Sequence, residues 1–90
     1  MFKYITLEKV LTMSKKYEIT NNIRTLRFFA DEMSQQALAE KTGVSRQTIN
    51  AVELGKYTPS LDLAYKIARA FDVNIEEVFE YELLDEKERK

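Results

Sequence analysis

An all-α domain of five short helices is what this sequence predicts, and three observations predict it. Glycine occurs twice and proline once in ninety residues, so little interrupts helical backbone. Apolar residues recur at three- and four-residue spacing through most of the stretch from Ile23 to Phe79. A serine, threonine or asparagine precedes each periodic run, where its side-chain oxygen can accept from a free first-turn N–H.

The elements follow in order. Helix 1 is read over about Asn22–Asp31, capped by Thr20, Asn21 or Asn22. Ile23, Leu26 and Ala30 share its inner face and Arg27 borders it. Phe28 and Phe29 are adjacent, so one is expected in the core and the other half exposed or at an interface. The link Ala30–Met33 leads to helix 2, read over Gln35–Lys41 with Ser34 as N-cap. Helix 3 is read over Arg46–Leu54, with Ser45 as N-cap and Gly55 as its stop. Lys56–Pro59 is a loop. Ser60 caps helix 4, whose expected buried stripe is Leu61, Ala64, Ile67, Ala68 and Phe71. Asn74 and Glu77 suit a capping box opening a short helix 5, with Ile75, Val78 and Phe79 apolar. The acidic tail Tyr81–Lys90 reads as an extension of helix 5 or a frayed end. At the other end, Phe2, Tyr4 and Thr6 alternate like a strand, whereas Leu7, Val10 and Leu11 repeat like a helix; neither pattern decides. Met13 reads as an alternative start, and Lys15-Lys16-Tyr17 as a small basic arm. Three segments result: an N-terminal extension or arm (1–20), a central domain (21–80) and a charged tail (81–90).

Helices 2 and 3 form a defined unit. Gly43 suits a left-handed corner, Val44 plugs it, and small Ala39 lets helix 3 cross closely. Ile49 and Val52 then point inward. This is the layout of a helix-turn-helix. With Gln35, Ala39, Gly43-Val44-Ser45, Ile49, Glu53 and Gly55 at these spacings, the chain resembles the lambda-repressor-like (Cro-like, or XRE) family of DNA-binding domains over roughly Asn22–Phe79. The resemblance implies a compact five-helix fold that presents helix 3 to the DNA major groove. It also implies that Gln35 contacts a phosphate and helps orient the start of the reading helix.

Composition narrows the function classes. The chain has no cysteine and no histidine, which excludes a disulfide framework, a zinc finger and catalysis by either residue. No metal site or cofactor is expected. A cytoplasmic protein with no membrane segment is expected, since no apolar run approaches a transmembrane length, and Lys3, Glu8 and Lys9 interrupt any signal-peptide core. Net charge is −1, but it is unevenly placed: residues 1–60 sum to +3 and residues 61–90 to −4. A basic face can therefore exist on a slightly acidic chain.

On helix 3, at about 100° per residue, Arg46, Gln47, Asn50, Ala51 and Leu54 fall on the side away from the core. Arginine can bond guanine O6 and N7, and glutamine or asparagine adenine N6 and N7. Ala51 can touch a thymine methyl. Arg46, Gln47, Asn50 and Ala51 are thus the expected base readers. Gln35, Ser45, Thr48, Lys56 and Tyr57 are the expected phosphate contacts, together with free helix N–H groups. Glu53 falls on the inner side, where an unpaired carboxylate is costly. Arg27 is its expected partner in a structural ion pair.

The expected function is that of a sequence-specific transcriptional regulator of double-stranded DNA, a repressor acting as a homodimer on a palindromic operator. Val78, Phe79, Tyr81, Leu83, Leu84 and the N-terminal apolar stretch are candidates for the dimer seam. The alternative is an antitoxin-like or anti-regulator protein whose main partner is another protein, engaged through Leu83–Lys90. An enzyme is not expected: Asp31/Glu32 and Glu76/Glu77 are grouped with no base, metal set or phosphate loop.

Overall fold

The computed structural model describes residues 17–83. In chain order they form strand β1 (Tyr17–Asn21), helices α1 (Ile23–Phe29), α2 (Gln35–Thr42), α3 (Arg46–Glu53), α4 (Leu61–Phe71) and α5 (Ile75–Val78), and strand β2 (Phe79–Leu83).

Three helices start by the same device. The hydroxyls of Ser34, Ser45 and Ser60 accept from the N–H groups of Ala37, Thr48 and Leu63, each satisfying a donor that the helix itself cannot pair. At α5, Glu77 Oε2 accepts from the Asn74 N–H at 3.1 Å. The ends are equally local. Gly43 (φ 78°) and Gly55 (φ 75°) turn the chain left-handed after α2 and α3, and open space surrounds the position of a Cβ at both. Backbone conformation, not crowding, is what calls for glycine there. After α3 the Lys56 N–H returns to Ala51 O and the Gly55 N–H to Val52 O, the paired bonds of a Schellman motif. Asp72 ends α4 with the same pair of bonds at φ 60° without the glycine.

Ile23, Leu38, Ala39, Ile49, Val52, Leu63, Ile67, Ala68 and Val78 form the buried core. Ala39 is fully enclosed where α2 meets α3. Thr42 is buried too, its hydroxyl donating back to Leu38 O at 2.9 Å. Two expectations fail here. Leu61 is exposed and Leu63 is buried in its place; counted from Ile67, Leu63 lies about 40° round the helix and Leu61 about 120°. Phe28 and Phe29 are both exposed. Each lies more than about 100° from Ile23 on this short helix, and the rings pack edge to face on one another, centroids 5.2 Å apart.

The five expected helices are present, and the all-α expectation holds but for a small two-stranded antiparallel sheet pairing Tyr17 with Leu83, Ile19 with Tyr81 and Asn21 with Phe79. Phe79–Leu83 neither extends α5 nor frays, as the tail was expected to do. Both segments alternate apolar with polar residues, the period of a half-buried strand. Tyr17, Ile19, Phe79, Tyr81 and Leu83 share one face, where Tyr17 and Tyr81 stack at 5.2 Å. Glu18, Thr20, Glu80 and Glu82 share the other. An isolated two-stranded ribbon is marginal in water, but this one is anchored: the Asn22 N–H donates to Val78 O at 2.8 Å and Asn22 Nδ2 to Glu77 O at 3.1 Å. The strands straddle the segment boundaries drawn at residues 20 and 80 from the sequence.

Candidate nucleic-acid interface

The site is built on α3. Ile49 and Val52 bury one side of the helix in the core, which leaves Arg46, Gln47 and Asn50 exposed and Ala51 half-buried. These are the four expected base readers; by helical spacing Gln47, Asn50 and Ala51 lie away from the core and Arg46 at its border, next to Glu53. Leu54, at the end of the same face, is also exposed.

The inner border of α3 is held by charge. Arg27 Nε donates to Glu53 Oε2 at 2.6 Å and its Nη2 to Glu53 Oε1 at 3.1 Å, while Nη1 donates to Met33 O at 2.8 Å. The guanidinium thus clamps the carboxylate with two bonds, and its remaining arm holds the α1–α2 link. That link needs holding, because Asp31 (φ 60°) and Glu32 (φ 56°) are both left-handed, at about 1–2 kcal/mol each for residues with a Cβ. Asn21 adds a second tie. Its Nδ2 donates to Val52 O at 3.0 Å, at the C-terminal end of α3, and its Oδ1 accepts from the Ile23 N–H at 3.1 Å. One side chain therefore starts α1 and closes α3.

Gln35 lies between these parts. Its Nε2 donates to Asn50 Oδ1 at 3.0 Å and to Glu53 Oε1 at 3.2 Å. Both amide hydrogens are thereby used, and the remaining Oε1 cannot donate to a phosphate oxygen. The geometry divides the role expected of Gln35. Its main-chain N–H lies in the first turn of α2, where no intrahelical acceptor exists. The side chain grips Asn50, one turn into α3 rather than at its start.

Ser45 and Thr48 are similarly occupied. Ser45 Oγ accepts from the Thr48 N–H, and the two hydroxyl oxygens lie 3.0 Å apart. One hydroxyl proton bridges them, so the pair retains one free O–H for a phosphate. Lys56 and Tyr57 are exposed on the loop after α3, and Tyr57 lines a narrow cleft with Ile19, Pro59 and Phe79. Arg24, which the sequence did not single out, shares a groove with Asn50, Leu54 and Phe28; its signal was only a cation beside Arg27. Val78 is fully buried and so cannot serve the dimer seam for which it was a candidate. Lys15, Lys16, Leu84, the N-terminal apolar stretch and most of the tail lie outside the described residues. Among the described residues no group of three or more acidic, histidine or cysteine side chains could hold a metal ion, and no helix is long and apolar enough to cross a membrane.

The fold and site define a class: paired helices set by a glycine corner, the second open along one side. The chain belongs to the helix-turn-helix family, whose model matches residues 23–78; this is the lambda-repressor-like, XRE-type group that the sequence resembles. It is 62% identical over 50 residues to an uncharacterized HTH-type transcriptional regulator of Methanocaldococcus jannaschii, spanning 56% of this chain and 76% of that one. A similarly named protein of Archaeoglobus fulgidus is 54% identical over 56 residues, 62% of this chain and 75% of its own. Among solved structures, a protein from Bacteroides fragilis named as a candidate DNA-binding protein superposes with a TM-score of 0.61 at 27% identity, covering 69% of this chain and 98% of that one.

Proposed function

We propose that this protein is a sequence-specific transcriptional regulator of double-stranded DNA that inserts α3 into the major groove and represses by covering a promoter. One observation carries the reading: Arg46, Gln47 and Asn50 stand exposed on a helix held to the core by Ile49, Val52 and the Arg27–Glu53 clamp. An α-helix fits the major groove, and these three residue types have the donors and acceptors that base edges match. The first-turn N–H groups of α2 and α3, the Ser45/Thr48 hydroxyl and Lys56 bond phosphates and set the register. The acidic ribbon face of Glu18, Glu80 and Glu82 is turned away from the duplex, because like charge repels it.

Two copies act together on a palindromic site, with half-sites about 34–36 Å apart. The apolar ribbon face supports this, since Tyr17, Ile19 and Tyr81 remain exposed on it. The test is selection of bound sequences from a random DNA pool, followed by affinity measurements across a salt series. A palindromic consensus is expected, with log K falling against log salt at a slope of about −0.9 per phosphate contact. No enrichment, or affinity indifferent to salt, rejects the reading.

A further inference from the structure

Arg24 and Phe28 on α1 and Asn50 and Leu54 on α3 line one open groove between the two helices. Residues four apart on a helix are neighbours on its surface, so Arg24 and Phe28 set a cation beside an aromatic ring. All four side chains are exposed, Phe28 to 62% and Leu54 to 59%. Phe29 packs edge to face on Phe28 and so limits the freedom of that ring. The other cation at the groove, Arg27, is engaged by Glu53 and by Met33 O. Arg24 makes no ion pair among the described residues.

A helix with its side chains is about 10–12 Å across, and the major groove is about 12 Å wide. A helix seated there fills it, so whatever is packed alongside meets the sugar–phosphate wall. The Arg27–Glu53 clamp ties α1 alongside α3. We propose that the α1–α3 groove seats one sugar–phosphate unit of the DNA backbone, with Phe28 and Leu54 packed on the deoxyribose and Arg24 bonded to the adjoining phosphate. The proposal rests on the reading of α3 as the major-groove helix, and it adds to that reading a backbone contact that is apolar in part. Two large apolar side chains exposed at one groove mark a contact surface, and this groove is continuous with the open face of α3 through Asn50 and Leu54. Deoxyribose offers C–H groups and carries no base identity, so the seat adds affinity and register without sequence preference. Glu32 is exposed and borders the same groove; its carboxylate repels a phosphate and weakens the seat.

Wild type, Arg24→Gln, Phe28→Ala, Leu54→Ala and Glu32→Gln test it, each shown by thermal melting to be folded and each titrated across a salt series on the duplex that the wild type selects from a random pool. Arg24→Gln should weaken binding about tenfold, the worth of a charged hydrogen bond, and flatten the slope of log K against log salt by about 0.9. Phe28→Ala and Leu54→Ala should each weaken it about three- to tenfold, half the worth of a fully buried apolar side chain, with the slope and the base preference unchanged. Glu32→Gln should tighten binding about two- to fivefold, the worth of an exposed charge. Uncharged methylphosphonates then replace the phosphates one at a time. At one position the replacement should weaken the wild type and leave Arg24→Gln indifferent, which locates the phosphate. Wild type and Arg24→Gln sharing one methylphosphonate profile overturns the proposal, as does a Phe28→Ala variant that binds like wild type or alters base preference; in either case the reading of α3 stands. If the wild type selects no duplex, that reading falls and the proposal with it.

Discussion

Replacing Arg27 by alanine should unfold this domain at a much lower temperature, and the structure sets the size of the effect. The guanidinium makes two bonds to Glu53 and one to Met33 O. Without it the Glu53 side chain, 8% exposed, retains only the 3.2 Å bond from Gln35. Stranding one member of a buried ion pair costs about 3–5 kcal/mol. The Arg27 side chain is 17% exposed, so water can reach part of the gap, which places the cost near the lower limit. Losing the Met33 bond adds about 1 kcal/mol. A total of about 4 kcal/mol compares with a stability of about 5–14 kcal/mol for a chain this size. At about 4–8 °C per kcal/mol, the melting temperature should fall by roughly 16–32 °C. Thermal denaturation followed at 222 nm measures it. The double variant Arg27→Met with Glu53→Leu removes both charges and should recover most of the loss, because an apolar pair has no desolvation cost to offset. A single variant that melts within about 4 °C of wild type refutes the reasoning, and so does a double variant that melts no higher than the single.

Three further outcomes follow from the geometry. Asn21→Ala removes the bond to Val52 O and the one from the Ile23 N–H, and should cost about 1–2 kcal/mol in a urea unfolding titration. Asp72→Gly replaces a left-handed residue at φ 60° by the one that adopts it freely, and should raise the melting temperature by a few degrees. Lys56→Ala should weaken binding to every DNA sequence alike and flatten the salt slope by about one, whereas Gln47→Ala should relax preference at a single base-pair position, both read by fluorescence anisotropy.

The helical part of the fold was legible because its signals are local. Each of Ser34, Ser45 and Ser60 accepts from an N–H three residues on, and Gly43 and Gly55 answer a backbone angle at their own positions. The exposed row of α3 was legible for the same reason, since 3.6 residues per turn assigns sides once Ile49 and Val52 are taken as core. The ribbon was missed because each half is only five residues long, and its partner lies some sixty residues away. Phe79–Leu83 alternates FEYEL, but after the periodic run of α5 an acidic segment reads equally as helix end. The position of Leu61 was misjudged because hydrophobicity does not say where a helix starts to face its neighbours.

Sequence alone thus determined the serine starts of α2, α3 and α4 and the glycine stops after α2 and α3, which face of α3 stays open, and that a carboxylate on its inner side needs a cation. Only the tertiary structure decided that Tyr17–Asn21 and Phe79–Leu83 close on each other, that Asn21 ties the start of α1 to the end of α3, and that Gln35 holds the Asn50 oxygen. Caps and turns are contacts between near neighbours, so the order of residues contains them. The other contacts join residues 15 to 66 positions apart, and they exist only because burial of Ile23, Leu38, Ile49, Ile67 and Val78 in one core brings α1, α2, α3 and the ribbon within hydrogen-bonding reach.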